Sequence, residues 1–232
     1  RRSVAASKRI CESWWRMVTN RTIDRVIREL RRVVRQWEEP VVGHYKHDPF
    51  STLISCLLSL RTKDAVTRAA SQRLFRLART PRRMLRLSAP LIARVIFPVG
   101  FYRTKARTIR DVCRTLLDRY QGRVPDELEE LLTIKGVGRK TANLVVTLAF
   151  RKDGICVDTH VHRISNRWGY VRTRTPEQTE MALRRKLPRR YWQSYNDWLV
   201  TFGQHLCHPT SPWCSRCPLT HLCAKRGVVH AR

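Results

Sequence analysis

Acidic residues are scarce in this chain. Its 232 residues hold 18 Asp and Glu against 47 Lys and Arg, a formal net charge of +29. The basic excess runs through the whole length and is not gathered in a tail, so a polyanion is the expected partner, with nucleic acid the first choice. Such binding weakens steeply as salt rises. Arginine outnumbers lysine by 38 to 9, and a codon-driven arginine bias is the plainer source of some of this charge. Long apolar runs are missing too. None approaches the roughly 20 residues that a membrane-crossing helix needs, so no membrane association is expected. No stretch alternates apolar and polar residues over a useful length, and nothing recurs at a fixed period, which leaves out a sheet-based core and a repeat array. Arg1 stands where a methionine would, which suggests a removed leader or tag. Residues 1–10 are rich in arginine and free of acids, as in a transit-peptide remnant or a disordered basic arm.

What is present reads as helix. Hydrophobic residues make up 42% of the chain, enough for one large or two small domains with a sizeable core. Thr22 to Trp37 is amphipathic, with Ile23, Ile27, Leu30, Val33 and Val34 on one face and most arginines elsewhere. Pro40 ends it, and Val41 to Pro49 reads as a loop. Adjacent Trp14 and Trp15 are expected to pack on the body of the protein. Phe50 to Leu60 is largely apolar and predicts a buried helix, broken by Arg61-Thr62-Lys63-Asp64 before another over Ala65–Leu77. Pro81 and Pro90 each open a short helix, and Phe97 to Tyr102 is a turn. A long helix follows from Arg103 to Tyr120 with Ile109, Val112, Cys113, Leu116 and Leu117 inward. Further helices are expected from Asp158 to Arg167, Pro176 to Leu187 and Arg190 to Leu206. The predicted fold class is all-α.

The chain is organised around Leu132–His160, LTIKGVGRKTANLVVTLAFRKDGICVDTH. One helical segment stops at Ile134-Lys135-Gly136-Val137-Gly138, and a second runs from Arg139 to about Phe150. Two glycines in three residues suit a tight hairpin, since glycine accepts positive φ and lets a partner approach the backbone. The N–H groups of the hairpin and of the following helix start form an anion site, and in so basic a chain the anion is read as a nucleic-acid phosphate. Lys140 sits just inside that helix and Asp158 lies 18 residues on. Taken singly, Lys140 reads as a solvated charge and Asp158 as the cap of the next helix. His160 and His162 read as packing or DNA-facing groups, not as a metal pair.

Cys207, Cys214, Cys217 and Cys223 form C-x6-C-x2-C-x5-C. Four thiolates so close together point to a soft metal centre, and spacing alone leaves structural zinc and iron–sulfur open. Cys11, Cys56, Cys113 and Cys156 are scattered and read as core residues.

GVGRKTA at 136–142 followed by VDTH at 157–160 resembles the endonuclease III branch of the helix-hairpin-helix DNA glycosylases, and the likeness extends from about Asp48 to Cys223. The resemblance implies two helical lobes with a cleft between them: a six-helix bundle with the hairpin over residues 42–152, and a discontinuous cluster domain from 1–41 plus 153–232. It implies a base-excision repair enzyme for duplex DNA bearing a damaged base or abasic site. Such an enzyme removes oxidised pyrimidines and cuts the strand by β-elimination. Lys140 would be the nucleophile and Asp158 the carboxylate that stabilises positive charge at the sugar and moves protons. A lysine attacks only when neutral, so a depressed pKa is expected for it near a helix start among cations. The four clustered cysteines would hold a 4Fe–4S cluster, and Arg216, Lys225 and Arg226 would face phosphate. Lys135, Gly136, Val137, Gly138 and Arg139 would meet DNA.

The chain departs from its relatives at some positions. Arg61 stands where they place a glutamine that fills the hole left by the flipped nucleotide, and Phe101 where a leucine wedge is common. Lys135 replaces the hairpin's frequent proline. Alternatives are a weakly active or non-catalytic DNA-binding paralogue and a mismatch-specific glycosylase. Lys140 speaks against the latter, and the adenine branch needs a glutamate where this chain has Leu57. A monomer is expected, in the cytoplasm or nucleoid of a bacterium, or in a nucleus or mitochondrion.

Overall fold

The computed structural model describes residues 17–38 and 40–232, so the readings made for residues 1–10, Cys11, Trp14 and Trp15 lie outside the described residues. The described residues are helical and irregular, with no strand, as expected. No helix among them is long and apolar enough to cross a membrane. The chain divides into two compact units: Glu39–Cys156, and Val157–Arg232 together with the segment ending at Glu38.

The unit Glu39–Cys156 is built on α2 (Pro49–Ser59). Asp48 caps it, its carboxylate accepting from the Ser51 amide at 3.2 Å, and Pro49 starts it with φ already helical. Phe50 through Leu58 are all buried, so the helix is covered on every side. Around it pack α3 (Asp64–Leu77), α4 (Pro81–Leu85), α5 (Ala89–Ile96) and α6 (Tyr102–Tyr120). Thr80 and Ser88 cap α4 and α5 through their hydroxyls. α6 buries Ala106, Ile109, Val112, Cys113 and Leu116 along one stripe. Ile109, Val112 and Leu116 each contribute about 1.5–3 kcal/mol by leaving water. Truncating central Leu53, which is fully buried, would remove about 2–5 kcal/mol. α7 (Leu128–Leu132) leads into the hairpin and α8 (Arg139–Leu144) leaves it.

The structure differs from the sequence reading in two places here. Val41–Tyr45 is a short 3-10 turn and not open loop. The helix from Arg139 stays α only to Leu144, then widens into a π turn over Val145–Ala149. The Thr147 hydroxyl donates to the carbonyls of Asn143 (2.8 Å) and Leu144 (3.3 Å) within this segment. The residues at the junction are apolar and buried either way, so a hydrophobic pattern does not register the change of pitch.

The other unit holds α1 (Ile23–Val34), α9 (Thr159–Arg167), α10 (Pro176–Lys186), a 3-10 turn at Arg189–Tyr191 and α11 (Trp192–His205). Ile23, Val26, Ile27, Leu30, Val33 and Val34 are the buried face of α1. Trp168, Tyr170, Tyr195 and Phe202 are fully buried with them. The two tyrosine hydroxyls are matched: Tyr195 Oη pairs with Ser165 Oγ at 3.0 Å, and Tyr170 Oη donates to the Lys186 carbonyl at 3.0 Å.

Candidate nucleic-acid interface and cysteine loop

The hairpin is fixed from below. Val137 is buried in the core of its unit, and its amide donates to the Ile134 carbonyl at 2.9 Å. Val137 was expected among the DNA contacts; with side chain and N–H both committed inward, it anchors the turn. Gly136 has φ +93°, and a Cβ there would come within 2.5 Å of Thr108 Cγ2. Gly138 has φ −89°, so of the two hairpin glycines Gly136 takes the positive φ and Gly138 does not. Gly138 caps α8 and a Cβ on it would meet nothing within 4 Å. Its bareness leaves the backbone open to an incoming group. Lys135 is exposed, and Arg139 and Lys140 are half-buried in the first turn of α8.

Arg61 and Phe101, 40 residues apart in sequence, meet in one place. The Arg61 guanidinium lies over the Phe101 ring at 5.7 Å, both residues are exposed, and the ring is 62% accessible. Both have left-handed backbone, φ 51° and 57°. That costs a non-glycine residue about 1–3 kcal/mol and persists only where neighbours over-determine it.

The neighbours are on hand. Lys105, on the first turns of α6, is buried and donates from Nζ to the carbonyls of Leu58 (2.8 Å) and Leu60 (2.5 Å) and to Thr62 Oγ1 (3.2 Å). Gly100 N also donates to Thr62 Oγ1 at 3.1 Å, and a Cβ on Gly100 would strike the Arg61 carbonyl at 2.6 Å. Burial pushes the Lys105 pKa down to about 8. The carbonyls it faces, at the C-terminal end of α2, favour its charged form. Sequence reading missed this residue. The signal was its register, since positions 105, 109, 112 and 116 share the inward stripe of α6.

Asp158 belongs to the other unit. It is buried and caps α9, its Oδ1 accepting from the amides of His160 and Val161, both at 2.9 Å. His160 Nδ1 pairs with Arg163 at 3.1 Å and His162 Nδ1 with Thr179 at 2.7 Å, so both rings pack within their unit.

The four cysteines of the C-terminal loop line one recess with Trp168, Phe202, Leu206 and Trp213. Among the described residues no group of three or more His, Cys, Asp or Glu is arranged to hold a metal ion. Burial pushes the thiols of Cys217 and Cys223 up to about 12 and about 11. Hydrogen-bond donors already point at the sulfurs: Arg167 Nη1 to Cys207 Sγ at 3.4 Å and Lys225 N to Cys223 Sγ at 3.3 Å. Arg167 is itself buried and also holds the carbonyls of His208 and Pro209, both at 2.6 Å. Arg216 lies over Trp213, and Arg226 reaches Met17 Sδ at 3.0 Å. Cys56, Cys113 and Cys156 are buried, in keeping with their reading as core residues.

Residues 54–189 match the family described as HhH-GPD superfamily base excision DNA repair protein. The chain belongs to this superfamily. Among HhH-GPD relatives, it is 46% identical over 211 residues to Endonuclease III of Thermotoga maritima, covering 89% of this chain and 98% of that protein. It is 39% identical over 219 residues to Endonuclease III homolog 2, chloroplastic, of Arabidopsis thaliana, spanning 86% of this chain but 57% of the longer relative. A solved endonuclease III–DNA covalent intermediate, trapped as an estranged-adenine complex, superposes with a TM-score of 0.78 at 35% identity, over 89% of this chain and 96% of that one. This HhH-GPD protein is thus a base-excision DNA glycosylase and abasic-site lyase of the endonuclease III kind.

Proposed function

We propose that the protein acts as a monomer on duplex DNA, excises oxidised pyrimidines and then cuts the abasic strand through a lysine Schiff base. The observation that carries the reading is the likeness to an endonuclease III trapped covalently on DNA, joined to Lys140 in the first turn of the helix leaving the hairpin. The neutral Lys140 amine attacks C1′ of the damaged nucleoside, and the base leaves with the glycosidic electron pair and a proton. The C1′–O4′ bond then breaks, O4′ takes a proton as the ring opens, and the nitrogen lone pair forms the protonated imine. The imine acidifies C2′, and removal of that proton expels the 3′ phosphate. Asp158 stabilises the cationic sugar and carries protons to and from the amine. Arg61 and Phe101 enter the stack where the nucleotide leaves, and Lys135 with the backbone of Gly136, Gly138 and Arg139 holds the phosphates.

Cys207, Cys214, Cys217 and Cys223 are proposed to hold a 4Fe–4S cluster. The all-sulfur donor set, the shared recess and the N–H groups aimed at two of the sulfurs suit it. When bound, the cluster supplies a structural cross-link for a loop with little core of its own.

Borohydride trapping on thymine-glycol or abasic duplex tests the reading. A covalent adduct is expected from the wild type and none from Lys140→Gln. A wild-type adduct that persists in Lys140→Gln would remove Lys140 from its role.

A further inference from the structure

α1 carries a stripe of arginines that the repair chemistry does not use. Arg28, Arg31, Arg32 and Arg35 stand at helical spacing and, with Arg190, Asp24, Ile27 and Tyr191, line an open recess of about 480 Å³ within one unit. Five of its eight lining residues are arginines, against one carboxylate. Asp24 is already engaged, its carboxylate bound by Arg190 at 2.7 Å and by the Tyr191 hydroxyl at 2.8 Å. Both contacts hold it in its ionised form, below the usual carboxylate range. Arg32 has Glu29 at 3.7 Å, a long exposed pair. The guanidiniums are also oriented in advance. Arg31 lies over Trp198 at 5.5 Å and Arg190 over Tyr191 at 4.8 Å, which reduces the rotamer freedom given up on binding an anion.

We propose that this recess is a second phosphate-binding site, one that takes a stretch of DNA backbone in addition to the phosphates held at the hairpin. From Arg28 to Arg35 the helix rises about 10.5 Å, which is about three steps of the ~3.4 Å axial phosphate spacing along one strand. Ile27, the one aliphatic residue in the lining, is buried, so a folded protein partner finds little apolar surface there. A chain of phosphates needs none. Its oxygens accept paired N–H bonds from planar guanidiniums. The proposal rests on the DNA-binding reading and adds an anchorage that is independent of base damage.

The test is binding of a long undamaged duplex, followed by fluorescence anisotropy over a range of KCl concentrations. Arg28, Arg31 and Arg35 are exposed, and glutamine keeps helix propensity close to that of arginine. The combined variant R28Q/R31Q/R35Q is expected to lower the slope of log K against log[KCl] by about 2–3, near 0.9 for each phosphate that is no longer neutralised. The corresponding triple lysine variant is expected to keep most of the slope. An unchanged slope in the glutamine variant overturns the site. If Lys135→Gln lowers the slope while the triple variant does not, DNA binding stands and this recess is excluded. If the wild type shows no salt-dependent binding, the DNA reading fails first. Phenylglyoxal footprinting of the wild type needs no variant to fold. DNA should protect Arg28, Arg31 and Arg35 from modification, and equal modification with and without DNA overturns the proposal.

Discussion

Asp158 caps α9 and is proposed to react at the sugar, two roles that a single substitution can separate. As a cap it satisfies two amides at the start of α9, and as a reacting group it needs a charge. Asparagine caps a helix about as well as aspartate, whereas alanine forfeits about 1 kcal/mol. Asp158→Asn is therefore expected to melt close to wild type while single-turnover excision falls by about 10²–10⁴-fold. Asp158→Ala should lose the same activity and also melt about 2–4 °C lower. Thermal unfolding beside excision of a thymine-glycol duplex reads both. Full excision by Asp158→Asn would reduce the residue to a cap. Phe101 poses a similar question of exposure against use. At 62% accessible, its ring adds little to the fold, so Phe101→Ala should leave the melting point nearly unchanged. It should weaken extrusion of the damaged nucleotide, read by 2-aminopurine fluorescence.

At the scale of elements, the hairpin and the Arg61–Phe101 pair depend on what lies beneath them. Gly136→Ala combines φ +93° with a contact 2.5 Å from Thr108, so it should destabilise the protein by about 1–3 kcal/mol. Gly138→Ala meets open space and should fold normally. Its methyl group would stand where DNA approaches, so affinity for duplex should drop while the melting point holds. Equal affinity would show that no partner comes close to Gly138. Lys105→Met keeps bulk but strips donors from two carbonyls and a hydroxyl, a loss of about 1–3 kcal/mol. Burial holds the folded pKa near 8, below the ordinary lysine value. Between those values the unfolded chain carries a proton that the folded chain has released, so stability rises with pH. The wild type should therefore gain melting temperature over Lys105→Met as pH climbs from 8 toward 10, and a flat difference would exclude the shift. These elements also mark what sequence could tell. The helices, caps and proline starts follow from local residue order and were legible. Which of the two hairpin glycines takes positive φ was not legible, because φ is set by the finished turn. The meeting of Arg61 with Phe101 joins two turns distant in sequence, and no local periodicity encodes it. Lys105 lay on the inward stripe of α6 in plain view, but a lone lysine there gains its meaning only from carbonyls contributed by another helix.

For the molecule as a whole, the charge balance sets two responses to salt that run in opposite directions. With 18 acids for 47 bases, most cations have no carboxylate to pair with, and a net charge of +29 repels itself in the folded state. The ion pairs between α1 or α6 residues and their neighbours, such as Arg114–Asp111 and Arg190–Asp24, are exposed and screened by solvent, so they add little to cohesion. Cohesion therefore comes from the apolar cores and the satisfied buried hydroxyls, which salt hardly weakens. Added salt screens the repulsion, since the Debye length shrinks to about 8 Å at physiological ionic strength. It also removes the gain from counterion release on which binding to DNA depends. Raising KCl should thus increase the melting temperature of the free protein while its affinity for duplex falls. Differential scanning fluorimetry and anisotropy on one preparation measure both. A melting point that falls with salt would mean that attractive pairing outweighs repulsion, and the charge would then serve the fold as well as the partner.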